Sequence, residues 1–303
     1  MAVTLTQLST FLAVARTGSV KAAAAELFVT QPSVSAALAA LSREFGTPLT
    51  ERVGRTVRLT PAGEAFLPYA ADVLGALDQG RRASHEAAAT KAREVRIAAV
   101  TTAAEYVVPP LLRRFADLHP GTSLTLEVGN RERVFQRVRD HLVDIAIGGS
   151  PPVGGGLAGH PFLRNEIVLI VPLEDELGGR ERVSFADLGG RTWLLREEGS
   201  GTRAMVEGLL ARHGIEPTTL TLGSNGAIKQ AVRMGLGISL QSRVAVELEL
   251  RTGLLATARL RGLPSRSWYA LTTAGGHRRP AVECFLEFVT SAAARSALAD
   301  VDW

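Results

Sequence analysis

The sequence predicts an α+β chain of several domains: an N-terminal winged helix-turn-helix, a long linker helix, and a two-lobed α/β domain behind it. Three observations predict this. Between Thr17 and Phe45 two short helical patterns meet at a tight connection. From Pro61 to about residue 89, apolar residues recur by alternating fours and threes. From Glu94 onward short β-rich runs alternate with amphipathic helical ones. At 303 residues the chain has length for two or three cores.

Residues 4–16 read as the first helix. Thr4 and Gln7 have capping-box spacing, and Leu5, Leu8, Phe11, Leu12 and Ala15 supply an apolar face. Ser19 caps a second helix carrying Val20, Ala23, Ala24 and Leu27. Phe28-Val29-Thr30 then turns the chain, and Thr30 or Gln31 caps a third helix whose first turn tolerates Pro32. Val34, Leu38, Leu41 and Phe45 form its buried stripe. The opposite face holds Gln31, Ser33, Ser35, Ala36, Ala39, Ala40 and Arg43. A slim, mostly uncharged face can approach base edges closely, with hydroxyls and an amide to read them and alanines to touch thymine methyls. A helix pair in any small all-α core would show the same apolar stripe, so the flanks decide.

Leu49 to Thr60 reads as two short strands around Val53-Gly54-Arg55, a wing. Residues 1–60 carry six basic side chains (Arg16, Lys21, Arg43, Arg52, Arg55, Arg58) against three acidic ones, most of the chain's net +4. Arginines flanking a groove-reading helix suit phosphate contacts. The expected DNA-contacting set is Lys21, Thr30, Gln31, Pro32, Ser33, Ser35, Arg43, Arg52, Arg55 and Arg58, with Gln31 and Ser33 at base edges and Arg52 and Arg55 on phosphates.

The helix opening at Thr60-Pro61 should kink near the carbonyl of Glu64, because Pro68 lacks an N–H. Phe66, Ala70, Val73 and Leu77 head its seam, continued by Gly80 and Ser84, and are expected to pair two copies of the chain. Next come strands at 95–100, 123–128 and 143–147, with helices at 105–118 and 131–141 between them, implying a parallel sheet. A Pro- and Gly-rich connection, 150–159, leads to the IVLIV strand at 166–172. The alternation restarts with strands at 192–196, 218–223 and 237–241 and helices at 202–213 and 227–234, then closes with a strand at 268–273 and a helix from Pro280 to about Ala294. Two α/β units then enclose a cleft.

Strand-to-helix junctions offer unpaired N–H groups and the positive end of a dipole, which attract anions. Three are rich in small polar residues: Val100-Thr101-Thr102, Gly199 to Arg203, and Gly223 to Gly226. Each is also what an ordinary cap requires. The expected ligand set is Thr101, Thr102, Ser150, Ser200, Gly201, Thr202, Arg203 and Asn225, with Arg203 as bidentate partner of a phosphorylated or carboxylated metabolite.

Other patterns fail. Gly154, Gly156 and Gly159 match GxGxxG, but His160-Pro161 follows instead of a helix. The six histidines lack metal-ligand spacing, and no serine has nucleophile-elbow surroundings. No enzyme activity, metal or cofactor is expected. The single Cys284, in an apolar run, fits a reducing cytosol, and the N-terminus lacks a basic leader. With no apolar run of roughly 18 residues, no membrane partner is expected and the protein should be cytoplasmic.

Over essentially its whole length the sequence resembles the LysR-type transcriptional regulators. The residues that carry this are SVKAAAAELFVTQPSVSAALAAL, the wing LTERVGRTVRLTPAGEAFL, and the α/β regions. The resemblance implies a DNA-binding domain at 1–60, a dimerising linker at 61–93, and a periplasmic-binding-protein-like effector domain at 94–303. Lobe I would be 94–166 with 267–303, and lobe II 167–266. It also implies promoter DNA, further copies of the chain in a dimer or tetramer, a small-molecule effector and RNA polymerase as partners. EVGNRE, REEGSGTRAMVEGLL and LGSNGAIKQAVRMGLGISL look most like the Calvin-cycle (CbbR-type) regulators, which sense sugar phosphates and related metabolites. Position 36, commonly long and polar in the family, is Ala36; position 50, usually aromatic, is Thr50. The first shifts weight toward groove shape, the second toward a differently packed wing base. The competing reading is a solute-binding protein or cleft enzyme whose N-terminal helices only oligomerise.

Overall fold

In the computed structural model, which describes residues 3–54, 56–88, 93–275 and 277–299, the chain divides into two units. One comprises Met1–Lys91, Arg139–Leu142 and Gly276–Arg279; the other is the remainder.

In the first unit, Thr4 caps α1 (Leu5–Thr17) through a reciprocal box with Gln7. Ser19 caps α2 (Val20–Glu26), and Thr30 caps α3 (Gln31–Phe45), whose first turn holds Pro32. Leu8, Phe11, Ala23, Val34, Leu38 and Leu41 form one core. Leu5, placed on the apolar face by its spacing, is exposed; Ala13 and Val14 are buried instead. The wing is β1 (Thr50–Val53) antiparallel to β2 (Thr56–Leu59), and the Val57 N–H donates to the Gly18 carbonyl, fixing the wing to the end of α1.

Thr60 caps α4 (Pro61–Ala87), which continues through Pro68. A Cβ at Gly63 would lie 1.9 Å from the Leu49 carbonyl oxygen, so only glycine lets the helix approach the wing base this closely. The predicted seam needs correction. Ala70 is fully buried in the N-terminal core, and Phe66 packs there between Phe11 and Phe45, with ring centroids 5.3 and 4.4 Å away. The helix's first turns complete their own domain, so a stripe for a partner begins later: Tyr69, Val73 and Leu77 are exposed.

In the second unit, β3 (Arg93–Val100), β4 (Thr122–Gly129) and β5 (Ile145–Gly148) are parallel. Beyond them β12 (Ser267–Thr273) and β6 (Leu157–Arg164) extend the sheet in the order β4-β3-β5-β12-β6, both pairings antiparallel. The parallel order expected for the first three strands holds, and the two antiparallel strands lie outside the stretch that predicted it. The reading of 150–159 as connection alone fails, since β6 begins inside it. His160-Pro161 disguised this strand, and Pro161 is tolerated because β6 is an edge and the ladder bulges opposite it at Trp268/Tyr269. Along β3, Val95, Ile97 and Ala99 face one core, with α5 (Val108–Leu118), α10 (Pro280–Thr290) and α11 (Ala292–Ala299). Ala98 faces the other, with Val134, Phe135 and Val138 of α6 (Arg131–Arg139). The final helix expected at 280–294 is thus two, α10 and α11.

The second sheet centres on β7 (Ile167–Val171), buried at every position, between antiparallel β10 (Ser239–Ser242) and β11 (Ala256–Ala258). Its residues alternate between two cores. Ile167, Leu169 and Val171 pack with α7 (Gly201–Arg212), and Val168 and Ile170 with α8 (Asn225–Arg233). Trp193 to Leu195 form β8, parallel to β9 (Thr219–Thr221); α9 (Glu247–Arg251) precedes β11.

The Asp144 carboxylate has no solvent exposure; it accepts the backbone N–H of Arg96 at 2.8 Å and its guanidinium at 3.0 Å. Asp144→Ala removes the fully buried member of this ion pair and should cost about 3–5 kcal/mol, read from the denaturant midpoint of the full chain.

Candidate nucleic-acid interface and ligand cleft

The α2–α3 pair turns through 107° at a break of a few residues, the geometry of a helix-turn-helix. Thr30 Oγ1 accepts the Ser33 N–H and lies 2.8 Å from the Ser33 hydroxyl. Lys21, Thr30, Gln31, Pro32, Ser33, Ser35, Arg43, Arg52 and Arg58 are all exposed, as are Ala36 and Ala39. Arg55 lies outside the described residues. Among those described, no carboxylate pairs with the side chains of Arg43, Arg52 or Arg58. Phe28 was missed by sequence reasoning. It is 96% exposed in the turn, with φ 55°, a left-handed backbone that no sequence pattern signals for phenylalanine.

Between the two sheets of the second unit lies a cleft holding about 470 Å³ of space, part of it open to solvent. Thr101 and Thr102 follow β3 directly. The helix there starts one turn earlier than expected, through a π-helical turn at Ala103–Val107, so both threonines occupy its first turn. Asn130 and Arg131 open α6, while Ser200, Gly201 and Thr202 open α7. Asn165 and Arg266 lie on the two crossings of the chain between the sheets, paired by the Asn165 N–H donating to the Arg266 carbonyl at 2.9 Å.

Of the expected ligand set, Thr101, Thr102, Ser200, Gly201 and Thr202 line this cleft; Ser150, Arg203 and Asn225 do not. Arg203 is held by Glu207, one turn further along its own helix, at 2.7 Å, and by the Arg196 carbonyl and Thr221. An i,i+4 carboxylate on its own helix outcompetes the cleft for it. Ser150 offers its carbonyl to Arg131 at 2.9 Å. Asn225, 1% exposed, accepts from Arg196 at 2.6 Å and donates to Thr102 and Glu105, each at 3.1 Å. It supports the wall from behind.

The glycines of GSGTR also do something other than expected. A Cβ at Gly199 (φ 77°) would meet Asn130 Nδ2 at 2.6 Å, and one at Gly201 would meet Arg131 Cδ at 2.9 Å. They admit the opposite wall rather than a ligand.

Three arginines in the cleft escaped sequence reasoning: Arg131, Arg196 and Arg266. Arg131 looked like the solvent face of α6, and Arg266 sits in a stretch without periodicity. Arg196, 4% exposed, forms a two-point pair with Glu197 and reaches Thr101 at 3.4 Å. Arg131 lies 4.5 Å over the Phe135 ring. Burial, and then the Arg131 charge, push Arg266 below the ordinary arginine pKa. Elsewhere between the sheets, Lys229 ties Glu249 at 2.7 Å to the Tyr106 hydroxyl at 3.3 Å. Burial opposes its charge, but those hydrogen bonds prevail and its pKa is raised.

Residues 5–64 match the family described as bacterial regulatory helix-turn-helix protein, lysR family, and residues 88–294 match the LysR substrate binding domain. The chain is similar to the HTH-type transcriptional regulator CbbR of Rhodospirillum rubrum, 38% identical over 295 residues, which cover 95% of this chain and 96% of that one. It is similar also to the RuBisCO operon transcriptional regulator of Allochromatium vinosum, 38% identical over 302 residues, 97% and 98% of the two chains. Among solved structures, the Synechocystis PCC6803 CcmR regulatory domain in complex with 2-PG is 33% identical. It matches 65% of this chain and 95% of that domain, with a TM-score of 0.62.

Removing the Asn225 amide strands buried partners on both sides. Asn225→Ala should therefore lower stability by about 1–3 kcal/mol, measured by urea unfolding of the full chain beside Arg203→Ala, whose exposed i,i+4 pair is worth only about 0.3–0.5 kcal/mol.

Proposed function

The chain belongs to the LysR family of transcriptional regulators, and from that membership we propose how its parts divide the work. Residues 1–60 bind promoter DNA, 61–93 pair protomers, and 94–303 receive the effector, with lobes at 94–166 plus 267–303 and at 167–266. The observation that carries the DNA assignment is the face of α3: small, exposed and mostly uncharged, bordered by Arg43, Arg52 and Arg58, which among the described residues pair with no carboxylate. Gln31 and Ser33 read base edges, while Lys21, Thr30, Pro32, Ser35, Arg43, Arg52, Arg55 and Arg58 border the groove and its phosphates. Tyr69, Val73 and Leu77 of α4 form the pairing stripe, which presents two reading heads to a two-fold site; two such dimers make the tetramer.

The effector is a small anionic metabolite held between the lobes by Thr101, Thr102, Ser200, Gly201 and Thr202 and the arginines beside them. The complex of the similar CcmR domain with 2-PG, 2-phosphoglycolate, supports a phosphorylated or carboxylated acid. Binding shifts the population of lobe arrangements and so changes the grip on DNA, by reciprocal linkage. Output passes to RNA polymerase. The cleft works as a receptor, with no catalytic step. No single helix among the described residues is long and apolar enough to cross a membrane, which supports a cytoplasmic site of action.

A mobility-shift assay over a salt series tests the DNA reading. Arg52→Ala should weaken all sequences alike and reduce the salt slope by about one, while Ser33→Ala should alter base preference by about 1–3 kcal/mol at one position. The opposite pattern exchanges their roles; no retardation of the protein's own promoter region sinks the reading. For the effector, calorimetric titration of the full chain with 2-phosphoglycolate should give saturable binding that Thr202→Trp, filling the cleft, abolishes. Binding unchanged by that substitution would place the effector elsewhere.

A further inference from the structure

We propose that the cleft recognises its ligand through one doubly ionised phosphoryl group seated between the guanidinium groups of Arg131 and Arg266. This rests on the cleft reading above and narrows it to a charge state and two side chains.

Arg266 is the key. Its Nη1 lies 3.3 Å from the Met205 thioether, and among the described residues it meets no carboxylate. The charge that acts on it is a like one, Arg131 on α6, which lines the same cleft. The other charged groups of the cleft, Arg196 and Glu197, engage each other at two points, so Glu197 is not available to neutralise Arg266. A half-buried cation facing another cation is unfavourable unless an anion enters between them. Trp268, 4% exposed and part of the same wall, has an indole Nε1 without an acceptor among the described residues. A second unmet donor thus lies two residues from Arg266.

Number and direction of donors select the group. Guanidinium forks arrive from α6 and from the chain crossing, and the first turn of α7 supplies backbone N–H groups beside Gly201 and Thr202. Three terminal oxygens on a tetrahedral centre can meet donors from three directions, whereas a planar carboxylate cannot. Because Arg266 sits on a crossing between the sheets, hydrogen-bonded to the other crossing through Asn165, an anion there acts where the lobes pivot.

A pH series reads the ligand's own ionisation when it is run beside an acid of the same shape whose charge does not change. A phosphoryl monoester loses its second proton near pH 6, so its dianion rises about tenfold in abundance from pH 5 to 7. Calorimetry on the full chain should show 2-phosphoglycolate binding about tenfold tighter at pH 7 than at pH 5. Sulfoacetate, whose tetrahedral group holds one charge throughout, should bind at least tenfold more weakly at pH 7 and without that pH dependence.

Arg266→Gln should lose at least tenfold in affinity for 2-phosphoglycolate, flatten its pH profile and bring the two acids within about threefold. Arg266→Lys, which keeps the charge, should retain the slope at reduced affinity and guards against a folding defect in the first variant. Arg203→Gln should behave as wild type. If Arg266→Gln keeps wild-type affinity and pH profile, or sulfoacetate binds wild type as tightly as 2-phosphoglycolate, the dianion seat is wrong while the cleft reading stands. If wild type binds neither acid, the cleft reading falls too.

Discussion

A buried guanidinium, Arg196, sets the terms for everything around the cleft. Taking such a cation out of water costs several kcal/mol unless it is paired and its remaining donors are satisfied. Glu197 meets it at two points, at 2.7 and 2.9 Å; Asn225 Oδ1 takes Nη1, and Thr101 lies within reach of Nη2. Asn225 in turn spends its own N–H groups on Thr102 and Glu105. One chain of hydrogen bonds therefore runs from the loop after β8 and the start of α8 to the start of the helix after β3. A hydrogen-bonded set of this kind fixes orientation more than it adds stability, because a net bond is worth only about 0.5–1.5 kcal/mol.

That small value is what makes a two-lobed receptor workable. Each sheet has apolar cores on both faces, and the residues of β3 and β7 alternate between them. These cores lie mostly within one lobe each, with Val244 packing across onto the first and Tyr106 onto the second. Beside those two apolar contacts the ties between lobes are polar and individually weak: Asn130 to the Glu198 carbonyl, Glu132 N–H to the Gly199 carbonyl, and the Arg196 network. A ligand offering comparable hydrogen bonds can shift such an equilibrium, whereas it could not compete with the cores. Gly199 and Gly201 fit this picture, since they let the walls touch.

The sequence was most legible where one residue's role depends on neighbours within a turn or two. Caps at Thr4, Ser19, Thr30, Thr60, Ser200 and Ser224 lie where their hydroxyls and following residues indicate. What depends on distant partners was not legible. Pro161 hid an edge strand whose tolerance for proline comes from its place in the sheet order. Ala70 kept the spacing of a dimer seam while serving the core beneath it. In the candidate site, helix starts were readable but the arginines were not. Arg203 had an obvious local setting and was captured by Glu207, while Arg131 and Arg266 reach the cleft only through the fold.

The same contrast governs the proposed reading of DNA. Val34, Leu38 and Leu41 anchor α3 from behind, so its outward face owes nothing to the core and is free to be small. Ala36 and Ala39 can offer little beyond contact with a thymine methyl. In that proposed reading discrimination would fall on Gln31 and Ser33, and Ser33 is already committed to the cap through the 2.8 Å contact with Thr30. Thr30 Oγ1 also accepts the Ser33 N–H, which leaves its hydroxyl proton free to point at Ser33. With that proton so placed, Ser33 keeps its own proton and presents a donor to guanine O6 or N7 or thymine O4. With the proton reversed, Ser33 offers only lone pairs and favours the amino groups of adenine or cytosine. Under the proposed reading, the paired orientation of the two cap hydroxyls would set which base edge Ser33 prefers, coupling the cap at Thr30 to what the helix reads three residues later.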